Sequence, residues 1–425
     1  MSVTEHLAEL ERQMKIQQHN DSVNREFSDS MAFYTHFFET HPARFHIPGN
    51  DLGFFAELFD YLENEEGMFH ILHYGDSQIE GDRITGFFRQ KMQEKFGGTG
   101  VGLIPAVQII ETPNVSQTAS ENITRYTISG MHSNRAGHRR YGVLGQVAQV
   151  YGNGRISVSS RNWKNTFENV KEFSKIRLYV GMTKDFKVSI SSSGANISTP
   201  IIENHNYLRI YSWEVDKPIK KFKLQTSGSA ELYGISLDSH NGVTVDNIPF
   251  RGSSGTFYTT IDSACLKPML KDLNVKLIMM QFGGNTLPYT KTDKAISNYK
   301  ENMGKQIAYL QKIYPQAKIV LIGPSDMSTK VNGKLQTYPQ MESFISGMRE
   351  AAAKNGAAFW SLYDAMGGEN SMISWVEGNP TMAAPDYVHF NIKGANRIAE
   401  LFYESMMIYY DYYQFTKKHQ DSLIE

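Results

Sequence analysis

Two short segments of this chain carry residue types at spacings that can do chemistry. One is Gly75-Asp76-Ser77-Gln78, and the other is Asp386-Tyr387-Val388-His389. A seryl hydroxyl becomes a nucleophile when an imidazole takes its proton, and a carboxylate can fix that imidazole's tautomer and stabilise its charged form. An aspartate and a histidine three apart in one loop can meet locally. Asp76 reads as a residue that holds the turn by hydrogen bonds. Two further segments, Arg251-Gly252-Ser253-Ser254-Gly255-Thr256 and Gln281-Phe282-Gly283-Gly284-Asn285-Thr286, each follow an apolar run and can place a hydrogen-bond donor at the same edge. Acyl transfer needs such donors, because its tetrahedral intermediate carries an oxyanion.

The elements around these segments decide whether they can meet. Met68–Tyr74 is an apolar run that ends at the serine turn, and Ile84, Phe87, Phe88, Met92 and Phe96 follow it at helical spacing. Runs at 243–248 and 275–280 lead into the Gly255 and Asn285 segments. A helix is predicted from Ile296, Tyr299, Met303, Ile307, Leu310 and Ile313, with Pro315 just beyond its end. A strand over 318–322, a helix with Met341, Phe344, Ile345 and Met348, a strand over 357–362 and a last helix with Ile398, Leu401, Phe402 and Met406 complete the series. Strands alternating with helices imply a parallel sheet covered on both faces, with ligand sites outside the carboxyl ends of its strands. All four segments fall there.

In that order the four segments resemble the SGNH (GDSL-type) hydrolase superfamily. The resemblance implies Ser77 as nucleophile, His389 as base and Asp386 as the acid that orients it. It implies an oxyanion hole from the Ser77 amide, the Gly255 amide (Gly252 being the second choice) and the Asn285 side chain. It also implies a flavodoxin-like three-layer α/β/α fold with a five-stranded parallel sheet. Two positions depart from the family pattern: Thr286 stands where Asp is usual, and Gln78 where Leu or Ile is usual. The segment from His73 to Arg83 looks most like bacterial envelope members. The function implied is a serine esterase that removes O-acetyl groups from a carbohydrate such as peptidoglycan. An O-acetyltransferase using the same residues and an inactive glycan-binding protein are the alternatives.

The chain has 425 residues, 40% of them hydrophobic, and a formal net charge of −1, which gives no reason to expect nucleic acid or an acidic membrane as partner. No apolar run is long enough to cross a bilayer. The single cysteine, Cys265, excludes an internal disulfide and reads as a small buried residue. No Walker loop, Rossmann glycine fingerprint, H-E-x-x-H or G-x-S-x-G motif is present, so neither metal nor nucleotide cofactor is expected. Residues 1–24 are polar, without the apolar core of an export signal. The resemblance favours a periplasmic or secreted protein whose signal is absent from this sequence, and a cytoplasmic one is the alternative.

Three regions are predicted: a helical segment over 1–65, a discontinuous α/β domain over 66–112 and 242–425, and an all-β sandwich, jelly-roll-like, inserted over 113–241. Phe54, Phe55, Leu58, Phe59 and Leu62 make a helical stripe expected to pack on the catalytic domain. In the insert, Ile176, Leu178 and Val180, then Phe186, Val188 and Ile190, Phe222 and Leu224, and Tyr233, Ile235 and Leu237 alternate with polar neighbours, and turn residues separate the runs. Glu80 and Asp82 are expected to sit favourably at a helix start. Arg135, His138, Arg139 and Arg140 read as a solvated charge run, with a grip on a carboxylated sugar as the sharper alternative. Tyr207, Tyr211 and Trp213 suit sugar stacking and sandwich packing equally.

Overall fold

The computed structural model describes residues 3–64, 66–198 and 200–423. Residues 1, 2, 65, 199, 424 and 425, which fall within the predicted segments 1–65, 113–241 and 242–425, lie outside the described residues.

The central sheet runs in the order Phe45–His46, Ala358–Trp360, Lys318–Ile322, Val275–Gln281, Met68–Gly75 and Gly242–Pro249. Five strands are parallel; the two-residue strand Phe45–His46 adds to the Ala358–Trp360 edge antiparallel. The sheet is therefore six-stranded, one short edge strand more than predicted. Numbered along the chain, the parallel strands stand in the order 2-1-3-4-5. Their runs are mostly apolar because both faces are covered. Ile278 and Met280 face a core shared with helices Ser263–Asp272, Asp293–Ile313 and Met341–Lys354. Leu277 and Met279 face the opposite core, shared with helices Ala56–Asn64, Thr85–Phe96 and Ile392–Ser422. Phe55, Leu58, Phe59 and Leu62 are buried in that second core, as the stripe required. The 38-residue helix Val3–Thr40 lies along the last helix through ring contacts such as Phe27–Phe415 and Phe38–Tyr409.

Strands between Gly102 and Asp238 form a second, ten-stranded antiparallel sheet around its own apolar core. Its spine is a pair of long strands, Phe173–Ser192 and Lys221–Asp238, where the sequence suggested four short ones. The two strands bend together instead of turning. Gly228 has φ +82°, and a Cβ there would lie 2.1 Å from the Asp185 carbonyl oxygen; Asp185 itself has φ +51°. The register shifts at this point, so the apparent turn Thr226-Ser227-Gly228 is a bulge inside one strand. The bend lets one strand serve both ends: Lys221–Thr226 pairs with Gly154–Ser160, and Ser229–Leu232 pairs with Gln146–Tyr151.

A buried ionic joint fastens the second sheet to the first. His70 places Nδ1 2.8 Å from Asp246 Oδ2 and Nε2 2.9 Å from a guanidinium nitrogen of Arg177. Arg177 also donates to Asp238 Oδ2 at 2.8 Å and Asp272 Oδ2 at 2.9 Å. Asp246 accepts the Leu103 amide at 2.6 Å. Thus strands of both sheets and the helix Ser263–Asp272 meet at one largely buried cluster. Arg139 reinforces it by donating to the Thr259 and Thr260 carbonyls, and Arg140 pairs with Glu231. The basic run 135–140 is therefore partly engaged in structure, and the solvated reading holds least for His138 and Arg140, both paired with Glu231. Tyr211 and Trp213 are buried in the second core, while Tyr207 is exposed. Removing one partner of a buried ion pair leaves an uncompensated charge, at a cost of about 3–5 kcal/mol. Arg177→Met is expected to lower unfolding stability by that amount in urea titration; a loss under about 1 kcal/mol would show that the joint does not hold the sheets together.

Candidate active site

Ser77 follows the first parallel strand and Asn285 the third. These strands are neighbours, and the chain leaves them for opposite sides of the sheet, so the crevice at their carboxyl ends is the natural ligand position of such a sheet. His389 reaches the same crevice from the loop before the last helix. Ser77 Oγ lies 2.8 Å from His389 Nε2, across 312 positions of sequence. His389 Nδ1 lies 2.7 Å from Asp386 Oδ2, whose other oxygen accepts the Val388 and His389 amides at 2.9 and 3.0 Å. Burial alone would raise the Asp386 carboxyl, but the hydrogen bonds from the His389 amide and ring and the Val388 amide hold it below the ordinary carboxylate range. A carboxylate, an imidazole and a hydroxyl thus form one hydrogen-bonded chain with the hydroxyl facing a cleft.

Asp76 is buried behind the serine. It accepts the Gln78 amide at 3.0 Å and the Asn285 carboxamide at 3.2 Å. Burial pushes its carboxyl up to about 6 against these bonds. The Asn285 carboxamide also donates to the Ser253 carbonyl at 3.3 Å. Asn285 therefore stands between the serine turn and the 251–256 segment. Gly255 does not line the Ser77 cleft, and its amide donates to Ser253 Oγ at 3.1 Å. Its glycine identity has another cause: φ is +77°, and a Cβ would lie 2.5 Å from the Phe282 ring. Gly252, with φ +75°, has open space where a Cβ would be, and its amide has no intramolecular acceptor among the described residues.

The helix expected directly after Ser77 starts only at Thr85. Between them lies a turn with Gly81, Asp82 and Ile84 all at positive φ. Glu80 and Asp82 consequently do not cap a helix. Glu80 pairs with Arg251, and Asp82 takes a bidentate pair of bonds from the buried Arg89 at 2.7 and 3.0 Å.

Two positioning residues escaped the sequence reading. Gln78 donates to the Val388 carbonyl at 2.6 Å and to Ser325 Oγ at 3.3 Å, and its own carbonyl accepts the Phe390 amide at 3.3 Å. Its side chain thereby brackets His389 on both sides. Arg83 donates to the Ser77 carbonyl at 2.6 Å and the Phe390 carbonyl at 3.2 Å. The only signal in the sequence was the polar Gln78 at a position where the resemblance leads one to expect an aliphatic residue.

The cleft at Ser77 has a volume of about 80 Å³ and is lined by Phe282, Pro324, Met327 and Val388 among others. Among the described residues no cluster of His, Cys, Asp and Glu has the geometry of a metal site, and no helix is long and apolar enough to cross a membrane.

No protein-family model matches the chain, and no curated protein matches it. Solved structures do. A peptidoglycan O-acetylesterase superposes with a TM-score of 0.67 at 20% identity, covering 83% of this chain and 95% of its own. Family two carbohydrate esterases from Cellvibrio japonicus and Clostridium thermocellum match at 10% and 9% identity over 70% and 61% of this chain, with TM-scores of 0.26 and 0.27 too low to carry weight. The chain therefore shares its fold with a peptidoglycan O-acetylesterase, in keeping with its resemblance to the SGNH hydrolases.

Gln78→Leu keeps the size of the side chain but removes the two bonds that bracket His389 and the one to Ser325. It is expected to lower kcat about tenfold or more with KM little changed, because a small misplacement of a catalytic group is costly. Steady-state kinetics on a chromogenic ester would read this, and an unchanged kcat would refute the positioning role.

Proposed function

We propose that this protein is a serine esterase of the SGNH type that removes O-acetyl groups from a glycan, with peptidoglycan the leading substrate. The observation that carries the proposal is the 2.8 Å contact between Ser77 Oγ and His389 Nε2, continued to Asp386. His389 takes the Ser77 proton as Oγ attacks the acetyl carbonyl carbon. The tetrahedral intermediate collapses, the C–O bond to the sugar breaks, and His389 returns the proton to the departing sugar oxygen. Water, deprotonated by His389, then attacks the acetyl-serine and releases acetate. The amide of Ser77 and the carboxamide of Asn285 receive the oxyanion. Its bonds to Asp76 and Ser253 are long, and a developing oxyanion is the stronger acceptor. A backbone amide of the 251–256 segment is assigned as the third donor, that of Gly255 once it leaves the Ser253 hydroxyl or that of Gly252.

A cleft of about 80 Å³ suits an acetyl group, being far below the roughly 300–1,000 Å³ of sites that enclose a whole ligand. The partial exposure of His389 and Asp386 leaves room for a polymer above the site and for the water of deacylation, which favours hydrolysis over transfer to a second sugar. The fold shared with a peptidoglycan O-acetylesterase supports the choice of glycan and a setting in the cell envelope. The strand order 2-1-3-4-5 supports classing the catalytic layer as flavodoxin-like, with the second sheet as an inserted sandwich.

Purified protein is expected to release acetate from O-acetylated peptidoglycan and to hydrolyse p-nitrophenyl acetate. Ser77→Ala should lose at least about 10³-fold in kcat/KM, and Asn285→Ala about 10²–10³-fold in kcat. Wild-type hydrolysis that survives Ser77→Ala would end the mechanism.

A further inference from the structure

A second cavity adjoins the one that holds Ser77. It lies between the two sheets, has a volume of about 360 Å³ and falls in the range of small-molecule sites. The serine turn separates it from the Ser77 cleft: residues 76–78 line the one, and residues 80–82 line the other. Leu103, Ile104, Leu144 and Phe250 make its apolar wall.

Three arginines line it, and two are neutralised. Arg89 is paired with Asp82, and Arg251 with Glu80. Arg125 has no carboxylate partner among the described residues; its Nε donates to Gln146 Oε1 at 2.6 Å. It sits half-buried in the second sheet, where burial lowers its pKa and no neighbouring charge opposes the effect. A cation withdrawn from water beside an apolar cavity is costly unless something negative joins it.

Resting on the glycan-esterase reading, we infer that this cavity is a subsite for a carboxylate-bearing sugar of the acetylated glycan, with Arg125 as its counter-ion. Thr127 and Ser129, from the same segment of the second sheet, present hydroxyls for the ring substituents, and the apolar wall takes the face of the sugar. The carboxylated-sugar role raised for the 135–140 run thus falls to Arg125, because no residue of that run lines the cavity. The second sheet thereby contributes directly to substrate choice. A uronic acid and the lactyl group of a muramic acid that carries no peptide share this chemistry.

Binding is measured by calorimetry on the Ser77→Ala protein with N-acetylmuramic acid, glucuronic acid and N-acetylglucosamine. At least one acid is expected to bind tenfold or more tightly than the neutral sugar, and the preferred acid identifies the source of the carboxylate. Arg125→Gln should abolish that preference, and Arg125→Lys should keep most of it. Acids bound no better than the neutral sugar, or a preference that survives Arg125→Gln, would overturn the subsite. Arg125→Gln should keep the circular dichroism spectrum and melting temperature of the parent protein, which shows that the variant is folded. Failure of the wild-type protein to hydrolyse p-nitrophenyl acetate would sink the esterase reading while the binding data still judge the subsite.

Discussion

Everything at the site depends on holding two segments 312 positions apart within hydrogen-bonding distance. Backbone bonds close the loop before the last helix on itself, with the Ala384 amide on the His389 carbonyl at 2.7 Å and the Asn391 amide on the Met382 carbonyl at 3.1 Å, and side chains tie that loop to the turn after the first strand. Gln78 and Arg83 between them bond to the Val388 carbonyl, the Phe390 amide and the Phe390 carbonyl. Backbone groups of a loop are what a side-chain clamp should grip, because they do not swing as side chains do. The clamp sets the loop, Asp386 sets the imidazole within it, and Ser77 is within reach as a result. Each of the two short links at 2.8 and 2.7 Å is thus the end of a chain of constraints.

The ionic joint around Arg177 has a different scale and a related purpose. Residues from the first strand, the second strand, the second sheet and a helix contribute to it, and the central members are wholly buried. Such clusters add little net stability compared with an apolar core of the same shape, but they accept only one arrangement. An apolar contact between two sheets tolerates sliding; a set of directed bonds between His70, Arg177, Asp238 and Asp246 does not. If the second sheet contributes to substrate binding, its orientation relative to Ser77 has to be specified to a fraction of an ångström, and this joint supplies that.

What the sequence revealed and what it hid divide along the range of the interactions. The parallel strands, the helices behind them and the four segments at the strand ends were legible because each rests on a local pattern: an apolar run, a 3.6-residue period, a turn glycine. The strand Phe45–His46 was not, since two residues carry no periodicity. The long strands through Asp185 and Gly228 read in the sequence as short ones, and at Gly228 the reason is that a glycine among serines and threonines marks a bulge and a turn alike. Gly255 was matched by motif, yet its amide turned out to be bonded by a hydroxyl two residues away. Gln78 looked like a mere departure from a family pattern, and its partners lie about 310 positions downstream. Arg177 gave no sign in the sequence, because an isolated arginine in an alternating strand reads as solvent-exposed.

The form of the serine turn bears on how an oxyanion is stabilised here. Helix dipoles act within about one turn of the helix end, and this helix begins eight positions after Ser77. In the proposed mechanism the stabilisation would therefore come from individual donors, which would make the Asn285 carboxamide more important than beside a helix start. The intervening turn is strained: Asp82 and the β-branched Ile84 both adopt positive φ, at a cost of order 1–3 kcal/mol each. Asp82 is kept there by Arg89 and Asn114, and Ile84 by burial of its side chain. A plain strand-to-helix junction would avoid that strain. It would also bring the helix up to Ser77, removing the residues 80–82 that wall off the larger cavity and the Arg83 guanidinium that grips the histidine loop. The strain is then the structural cost of placing a clamp and a second cavity beside one nucleophile.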